Sequence, residues 1–210
     1  MTSKATIGNY FEDLTTGLEI EHSVPRTVTE GDQSLYIALT ADRYPLHCDA
    51  EFARSLGFQR ETINDMLVFH TVFGKSVPDI SLNAVANLGY ADLRFGDPVY
   101  PGDTLQSHSV VLGRRESGSG GTGVVWVRTV GRNQRGEEVL SFIRWVLVNR
   151  REPEVATGVD DAPKTPESVA AADLFLDAYP FNGGTTANDA LWMGLPVLTR
   201  SGRTFASRMA

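Results

Sequence analysis

The chain has 210 residues, of which 41% are hydrophobic and 21% are charged, a mix typical of a folded globular protein. Its formal net charge of −7 argues against non-specific binding to nucleic acid or to an anionic membrane. The one cysteine, Cys48, excludes an intrachain disulfide and a zinc site made of several cysteines. No apolar run reaches the roughly 18 residues that a membrane helix needs. The first residues lack a secretory pattern, so we expect a cytoplasmic protein.

Residues 1–150 are predicted to form one domain, which begins with a strand and two helices. Apolar and polar residues alternate over Leu18–Val24, which is typical of a half-buried strand. Thr29 and Asp32 have the spacing of a helix cap in front of SLYIALTA and predict a first helix. A short second helix is predicted over Ala50–Leu56, with Asp49 as its cap and Gly57 as its end.

A third, longer helix is predicted over DMLVFHTVFGKSV, capped by Asn64 or Asp65 and ended by Pro78. This segment is apolar on most sides, which predicts a buried helix. Four strand-like runs follow, separated by the turn sequences PVYPGD, GSGG and QRGE. The order predicts an α+β hot-dog fold, in which an antiparallel sheet wraps around a central helix. Such units pair through a free sheet edge, so we expect a homodimer.

The composition changes after residue 150. Residues 151–172 are rich in proline, alanine and acidic residues and are interpreted as a linker. In residues 173–210, DLFLDAYPF and LPVLTR are predicted strands and TTANDALWMG is a predicted helix, which makes an appended βαβ-like fragment. A piece of this size cannot bury both of its faces alone.

Candidate chemistry in the first domain centres on T-A-D-R-Y-P-L-H-C-D. Asp42 and His47 lie five residues apart, and Pro45 disfavours helix at Tyr44, so the chain bends between the two side chains. A carboxylate and an imidazole brought together in this way can hold one water molecule between them. The carboxylate can also orient the imidazole or act as a second acid or base. A structural reading, with both groups bonded to backbone, also fits the spacing.

The stretch T-A-D-R-Y-P-L-H-C-D-A-E-F-A-R-S-L-G-F resembles the hydratase motif of the MaoC-like family, the (R)-specific enoyl-CoA hydratases. The resemblance implies that Asp42 and His47 form a catalytic dyad. Longer stretches over residues 8–151, among them INDMLVFHTVFGKSVPDISLNAVANLGYA and VYPGDTL, resemble the mesaconyl-CoA hydratases, also called β-methylmalyl-CoA dehydratases.

That resemblance implies a hydro-lyase that reversibly hydrates a short branched enoyl-CoA thioester, converting mesaconyl-CoA to β-methylmalyl-CoA. The implied partner is an acyl-CoA substrate, with CoA as part of the substrate and without a metal or redox cofactor. Two alternatives stay open. One is a broader (R)-specific enoyl-CoA hydratase, and the other is a catalytically silent hot-dog subunit that binds acyl-CoA or a partner chain.

The sequence departs from the family pattern at three points. Tyr44 stands where the motif usually has asparagine, and Asn64-Asp65 stands where the long helix often begins with His-Gly. The second hot-dog unit that these hydratases carry is absent. The Asp65 and Met66 amides are predicted to bind the thioester oxyanion, since backbone N–H groups at a helix start suffice. Arg94 and Tyr44 are assigned to substrate binding, and we predict no metal site.

The C-terminal fragment, residues 173–210, resembles the nucleotide-binding end of the O-linked N-acetylglucosamine transferases. This resemblance assigns diphosphate and ribose binding to Thr185, Thr186 and Asp189, while Gly184 stands where that family has histidine. It covers fewer than about forty residues, and no helical repeats precede it. We therefore expect this fragment to be non-functional.

Overall fold

The structure, a computed structural model, describes residues 8–118 and 120–164 and the backbone of two short strands further on. The chain divides into two compact units, Met1–Pro166 and Glu167–Ala210. In the second unit, the strands Phe175–Leu176 and Val197–Leu198 pair in parallel. The predicted helix between them, with Thr185, Thr186 and Asp189, lies outside the described residues.

A five-stranded antiparallel sheet forms the frame of the first unit. Its strands lie in the spatial order β1-β3-β4-β5-β2, so β1 and β2 are the two edges. The strands are β1 (Glu19–Thr27), β2 (Ala84–Phe95), β3 (Thr104–Glu116), β4 (Thr122–Arg132) and β5 (Glu138–Asn149). Their inner faces are rich in β-branched residues, which suit a pleated surface packed on one side.

Four helices lie between β1 and β2: α1 (Glu30–Thr40), α2 (Pro45–Cys48), α3 (Ala50–Ser55) and α4 (Asp65–Ser76). The capping box of Thr29 and Asp32 at α1 is confirmed, as are the caps at Asp49 and Asn64. The predicted end of α4 before Pro78 is confirmed, since the α-helix ends at Ser76, and a separate π-helical turn over Val77–Ser81 follows it. Proline is accommodated there because it stands in the first turn, where its missing N–H has no helical acceptor.

The core consists of two clusters on the inner face of the sheet, and α4 packs on the first of them. The first contains Val68 and Val72 of α4 with Leu140 and Phe142 of β5, and the second lies around Val146 at the other end of β5. The predicted burial of α4 holds for one face only, since Phe69 and Phe73 pack on the core yet stay half-buried. The hot-dog fold predicted from the order of elements is confirmed.

The two sheet edges differ in chemistry. On β1 the pairing register with β3 shifts between His22 and Arg26, and Pro25 lies within this bulge. Bulges, prolines and charges discourage another strand from pairing. The other edge, β2, presents exposed apolar side chains instead, namely Val85, Leu88, Leu93 and Phe95. The register of β2 with β5 also shifts at three points, so the two edges differ in apolar exposure and not in regularity.

The beginning of the predicted linker packs on the first unit, because polar groups of β3 hold it. The backbone N–H groups of Thr157 and Gly158 donate to the Glu116 carboxylate. The Asp161 carboxylate accepts hydrogen bonds from the Arg114 backbone N–H and the Thr16 hydroxyl. Asp160 forms an antiparallel bridge with Arg115. This segment, residues 151–164, covers the part of β3 that β1 leaves unpaired, so the boundary between the units lies near residue 166 and not at 150.

Two truncations test this boundary. Removing residues 167–210 leaves every described contact of β3 in place, so we expect an unchanged midpoint of urea unfolding. Removing residues 151–210 also deletes the hydrogen bonds to Glu116 and Arg114, each contributing about 1 kcal/mol, so we expect a lower midpoint. Equal stability of the two truncated proteins, measured by circular dichroism, would show that the segment 151–164 contributes nothing.

Candidate active site

Asp42 and His47 meet directly beside the start of α4. Ala41, in the left-handed conformation with φ 54°, ends α1, and Pro45 then starts the single turn α2 that carries His47. His47 Nδ1 lies 2.7 Å from Asp42 Oδ2, and both side chains are largely buried. The structure confirms that the two side chains lie close together. It leaves no room for the predicted water molecule between Nδ1 and Oδ2, because these two atoms bond directly. The geometry fits the alternative in which the carboxylate orients the imidazole.

Further hydrogen bonds hold the Asp42 carboxylate. The Tyr44 backbone N–H donates to Oδ1 at 3.0 Å, and Asn64 Nδ2 donates to Oδ2 at 2.6 Å. Burial acts to raise the pKa of Asp42, but the bonds from Tyr44, Asn64 and His47 outweigh it and hold the pKa below its ordinary value. The carboxylate is therefore ionised at neutral pH and keeps the proton of His47 on Nδ1.

Gln33, buried in α1, joins the segments around the dyad. Its Nε2 donates to the carbonyl oxygens of His47 and Thr62, at 3.2 and 2.9 Å. Its Oε1 accepts the backbone N–H of Asn64 at 3.0 Å. One amide side chain thus fixes the backbone of the imidazole relative to the start of α4.

The first turn of α4 offers one of the two predicted oxyanion amides. Asn64 Oδ1 accepts the N–H groups of Met66 at 2.8 Å and Leu67 at 3.4 Å. The Met66 part of the prediction is therefore wrong, because the helix cap already uses that N–H. The Asp65 N–H has no hydrogen-bond partner among the described residues, and it stands at the positive end of the helix dipole.

The side chain of Asp65 lies within the electrostatic reach of the dyad. Burial raises its pKa, the nearby His47 acts to lower it, and the Asp42 carboxylate raises it further, with a net upward shift. This carboxyl group is therefore destabilised in its ionised form, whereas that of Asp42 is stabilised.

His47 lines two cavities, whose other lining residues differ. One, of about 270 Å³, is also lined by Tyr44, Asp65, Val68 and Val139. The other, of about 460 Å³, is lined by α1 residues, Cys48 and Arg60. Nε2 of His47 has no hydrogen-bond partner among residues 8–118 and 120–164, so its lone pair is available to a bound molecule. The dyad is thus accessible at the imidazole.

The two residues assigned to substrate binding have different outcomes. Tyr44 lines the 270 Å³ cavity. Its ring meets the imidazole of His47 edge-on, with the two ring centres 5.2 Å apart. Arg94 does not reach either cavity. Its side chain is 75% exposed and pairs with Asp92 at 2.7 Å, so this assignment is not supported by the structure.

Two residues of the site were missed by reasoning from sequence. Asn64 was predicted only as a helix cap, although the cap signal marked a polar side chain next to the site. Gln33 carries no sequence signal, because its three partners lie far along the chain. Within the described part of the chain, no cluster of His, Cys, Asp and Glu could hold a metal ion, and no helix is both long and apolar enough to cross a membrane.

An antiparallel sheet around a helix, with an Asp–His pair at the start of that helix, defines a hot-dog protein of the MaoC-like hydratase class. Sequence comparison narrows this class, since residues 2–177 match the mesaconyl-CoA hydratase family model. The chain belongs to the mesaconyl-CoA hydratase family.

Relatives and solved structures agree with this assignment. The β-methylmalyl-CoA dehydratase of Chloroflexus aurantiacus is 48% identical over 91% of this chain and 56% of the relative. The mesaconyl-CoA hydratase of Cereibacter sphaeroides is 50% identical over 82% of this chain and 50% of the relative. A crystal structure of a MaoC domain protein dehydratase from Chloroflexus aurantiacus superposes with a TM-score of 0.75 and 52% identity, covering 80% of this chain and 48% of that chain.

The chain spans about half the length of the curated relatives that it matches. A Mycobacterium tuberculosis structure described as a double hot-dog fold shares the fold, with a TM-score of 0.67, 22% identity and 56% of its chain covered. The activity of the full-length relatives therefore comes to this chain only as a proposal.

The opposite pKa shifts of Asp42 and Asp65 predict opposite effects of neutralising them. A depressed pKa contributes stability that is present above the ordinary value of 3.8 and is lost as the pH falls, whereas a raised pKa costs stability in the same range. Near pH 7 we expect Asp42→Asn to lower the free energy of unfolding by about 2 kcal/mol and Asp65→Asn to raise it. Urea unfolding at about pH 7 and pH 3 measures both, and the differences should shrink at the lower pH.

Proposed function

We propose that this chain hydrates a short branched enoyl-CoA thioester reversibly, with mesaconyl-CoA and β-methylmalyl-CoA as the pair of substrate and product. The observation that carries the proposal is the 2.7 Å contact between His47 Nδ1 and Asp42 Oδ2 beside the first turn of α4. Relatives named for this reaction, at 48 and 50% identity, support the choice of substrate.

His47 is the general base in this mechanism. Asp42 accepts a hydrogen bond from the His47 Nδ1–H, so Nε2 carries the lone pair that takes a proton from water. The water oxygen bonds to the β-carbon as the double bond opens, and the electrons move to the thioester oxygen. The protonated imidazole then returns a proton to the α-carbon, so the two parts of one water molecule end on adjacent carbons.

The Asp65 N–H stabilises the enolate-like oxygen that forms in between. It stands at the start of a twelve-residue helix, where the dipole favours negative charge. The Asn64 side chain connects this amide to the dyad, because the residue caps α4 and also bonds Asp42. The reaction needs neither a metal nor a redox cofactor.

The proposed assembly is a homodimer in the cytoplasm, paired through β2. The exposed Val85, Leu88 and Leu93 on that edge support it, since pairing would cover them.

Ultraviolet loss of the enoyl thioester tests the activity, with mesaconyl-CoA and crotonyl-CoA as substrates. Turnover of mesaconyl-CoA alone supports the proposal, while equal turnover of both indicates a broader (R)-specific hydratase. Binding of both thioesters without turnover would instead indicate a silent subunit.

Single substitutions test the dyad. His47→Ala and Asp42→Asn should each lower kcat about 100-fold or more with the fold retained, as expected for general acid–base groups. His108→Ala is the matched control, because His108 lies on β3 away from both cavities that His47 lines. Near-normal kcat in His47→Ala would assign the dyad a structural role.

A further inference from the structure

The Asn64 side chain holds two neighbours with opposite ends of one amide. Its Oδ1 accepts the Met66 N–H at 2.8 Å and caps α4, so the other end of the amide carries the hydrogens. Those hydrogens face the dyad, because Nδ2 lies 2.6 Å from Asp42 Oδ2 and 3.3 Å from His47 Nδ1. The helix cap therefore fixes a hydrogen-bond donor against the pair of Asp42 and His47.

The carboxylate oxygen that holds the imidazole is shared between two donors. Asp42 Oδ2 accepts from Asn64 Nδ2 at 2.6 Å and from His47 Nδ1 at 2.7 Å. Because the amide stabilises part of the negative charge on Oδ2, less of that charge remains to stabilise a proton on the imidazole. The positive end of the amide, 3.3 Å from Nδ1, acts in the same direction, since it disfavours a second positive charge beside it.

Two carboxylates act in the opposite direction and attract a proton to His47. One is Asp42 itself, and the other is Asp65, whose pKa is raised by burial and by Asp42 while His47 acts to lower it. The same attraction between Asp65 and His47 favours the protonated imidazole. Tyr36 of α1 and Cys48 of α2 also lie near Asp42, but burial and the Asp42 charge raise the pKa of both, so they are uncharged at neutral pH.

Other charged groups in this part of the molecule have weaker effects on the dyad. They are paired with one another or exposed to solvent, which screens their charge, and they are Glu30, Arg43, Arg60, Glu61 and Asp97. Asn64 is thus a side chain that contacts the dyad and opposes the protonation of His47. That opposition matters because a general base has to be free of its proton at the working pH.

We propose that Asn64 is a positioning residue that keeps His47 unprotonated at neutral pH, so that the imidazole is ready to take a proton from water. This inference rests on the proposed function, because it takes His47 as the general base. An amide that already holds the first turn of α4 cannot turn its donor away from Asp42 without giving up the cap. Loss of the donor therefore moves the protonation of His47 to higher pH.

Titration of the histidines by nuclear magnetic resonance in the full chain tests the proposal without depending on turnover. Asn64→Ser keeps a residue that caps helices but removes the amide donor, so we expect the midpoint of His47 protonation to rise by about half a pH unit or more. Asn64→Asp also keeps a cap and places a second carboxylate beside Asp42, so the midpoint should rise further. The spectrum of His47→Ala identifies the signal among the 4 histidines. The acid limit of kcat/KM for mesaconyl-CoA should move in the same direction.

Asn133→Ser is the matched control, because the Asn133 amide is used in the same way in the turn between β4 and β5. Its Oδ1 accepts the N–H groups of Arg135 and Glu137, and its Nδ2 donates to the Glu137 carboxylate. It lines neither cavity of the dyad, so this variant should leave the midpoint of His47 unchanged.

An unchanged or lower midpoint in Asn64→Ser and Asn64→Asp would overturn the proposal. In that case a kcat/KM reduced equally at every pH would leave Asn64 as a helix cap only. A raised midpoint in a protein that does not turn over mesaconyl-CoA would contradict the hydratase activity but not the effect of Asn64 on the imidazole.

Discussion

The hydrogen bond from Asn64 to Asp42 is the contact on which the site depends. The same side chain accepts the N–H of Met66, so the position of the dyad and the start of α4 are set by one residue. Gln33 reinforces this link by bonding the backbones of His47 and Asn64. The imidazole and the Asp65 amide therefore keep a fixed relation, which a reaction with one base and one oxyanion donor requires.

Local features of the fold could be predicted from the sequence because their causes are local. The capping box at Thr29, the strands with alternating apolar residues and the bend at Pro45 each depend on a few neighbouring residues. The five-residue spacing also predicted the meeting of Asp42 and His47. The direct bond that leaves no room for water, and the part played by Gln33, depend on contacts between distant segments and could not be read from spacing.

Two arginines show why the surroundings of a charged side chain are hard to predict from sequence. Arg94 lies near the end of β2, where a guanidinium could bind an anion, yet Asp92 already pairs with it. Arg144 stands within an apolar strand, where pattern alone predicts a core position. Only the structure shows that the described residues around Arg144 supply a hydroxyl and a ring but no carboxylate within ion-pair distance.

The unequal edges of the sheet also limit how copies of this chain can associate. The bulge and Pro25 close β1, while the segment 151–164 covers the rest of β3. Register shifts interrupt β2 as well, so neither edge offers the long regular strand that growth into filaments needs, even though the β2 surface is apolar.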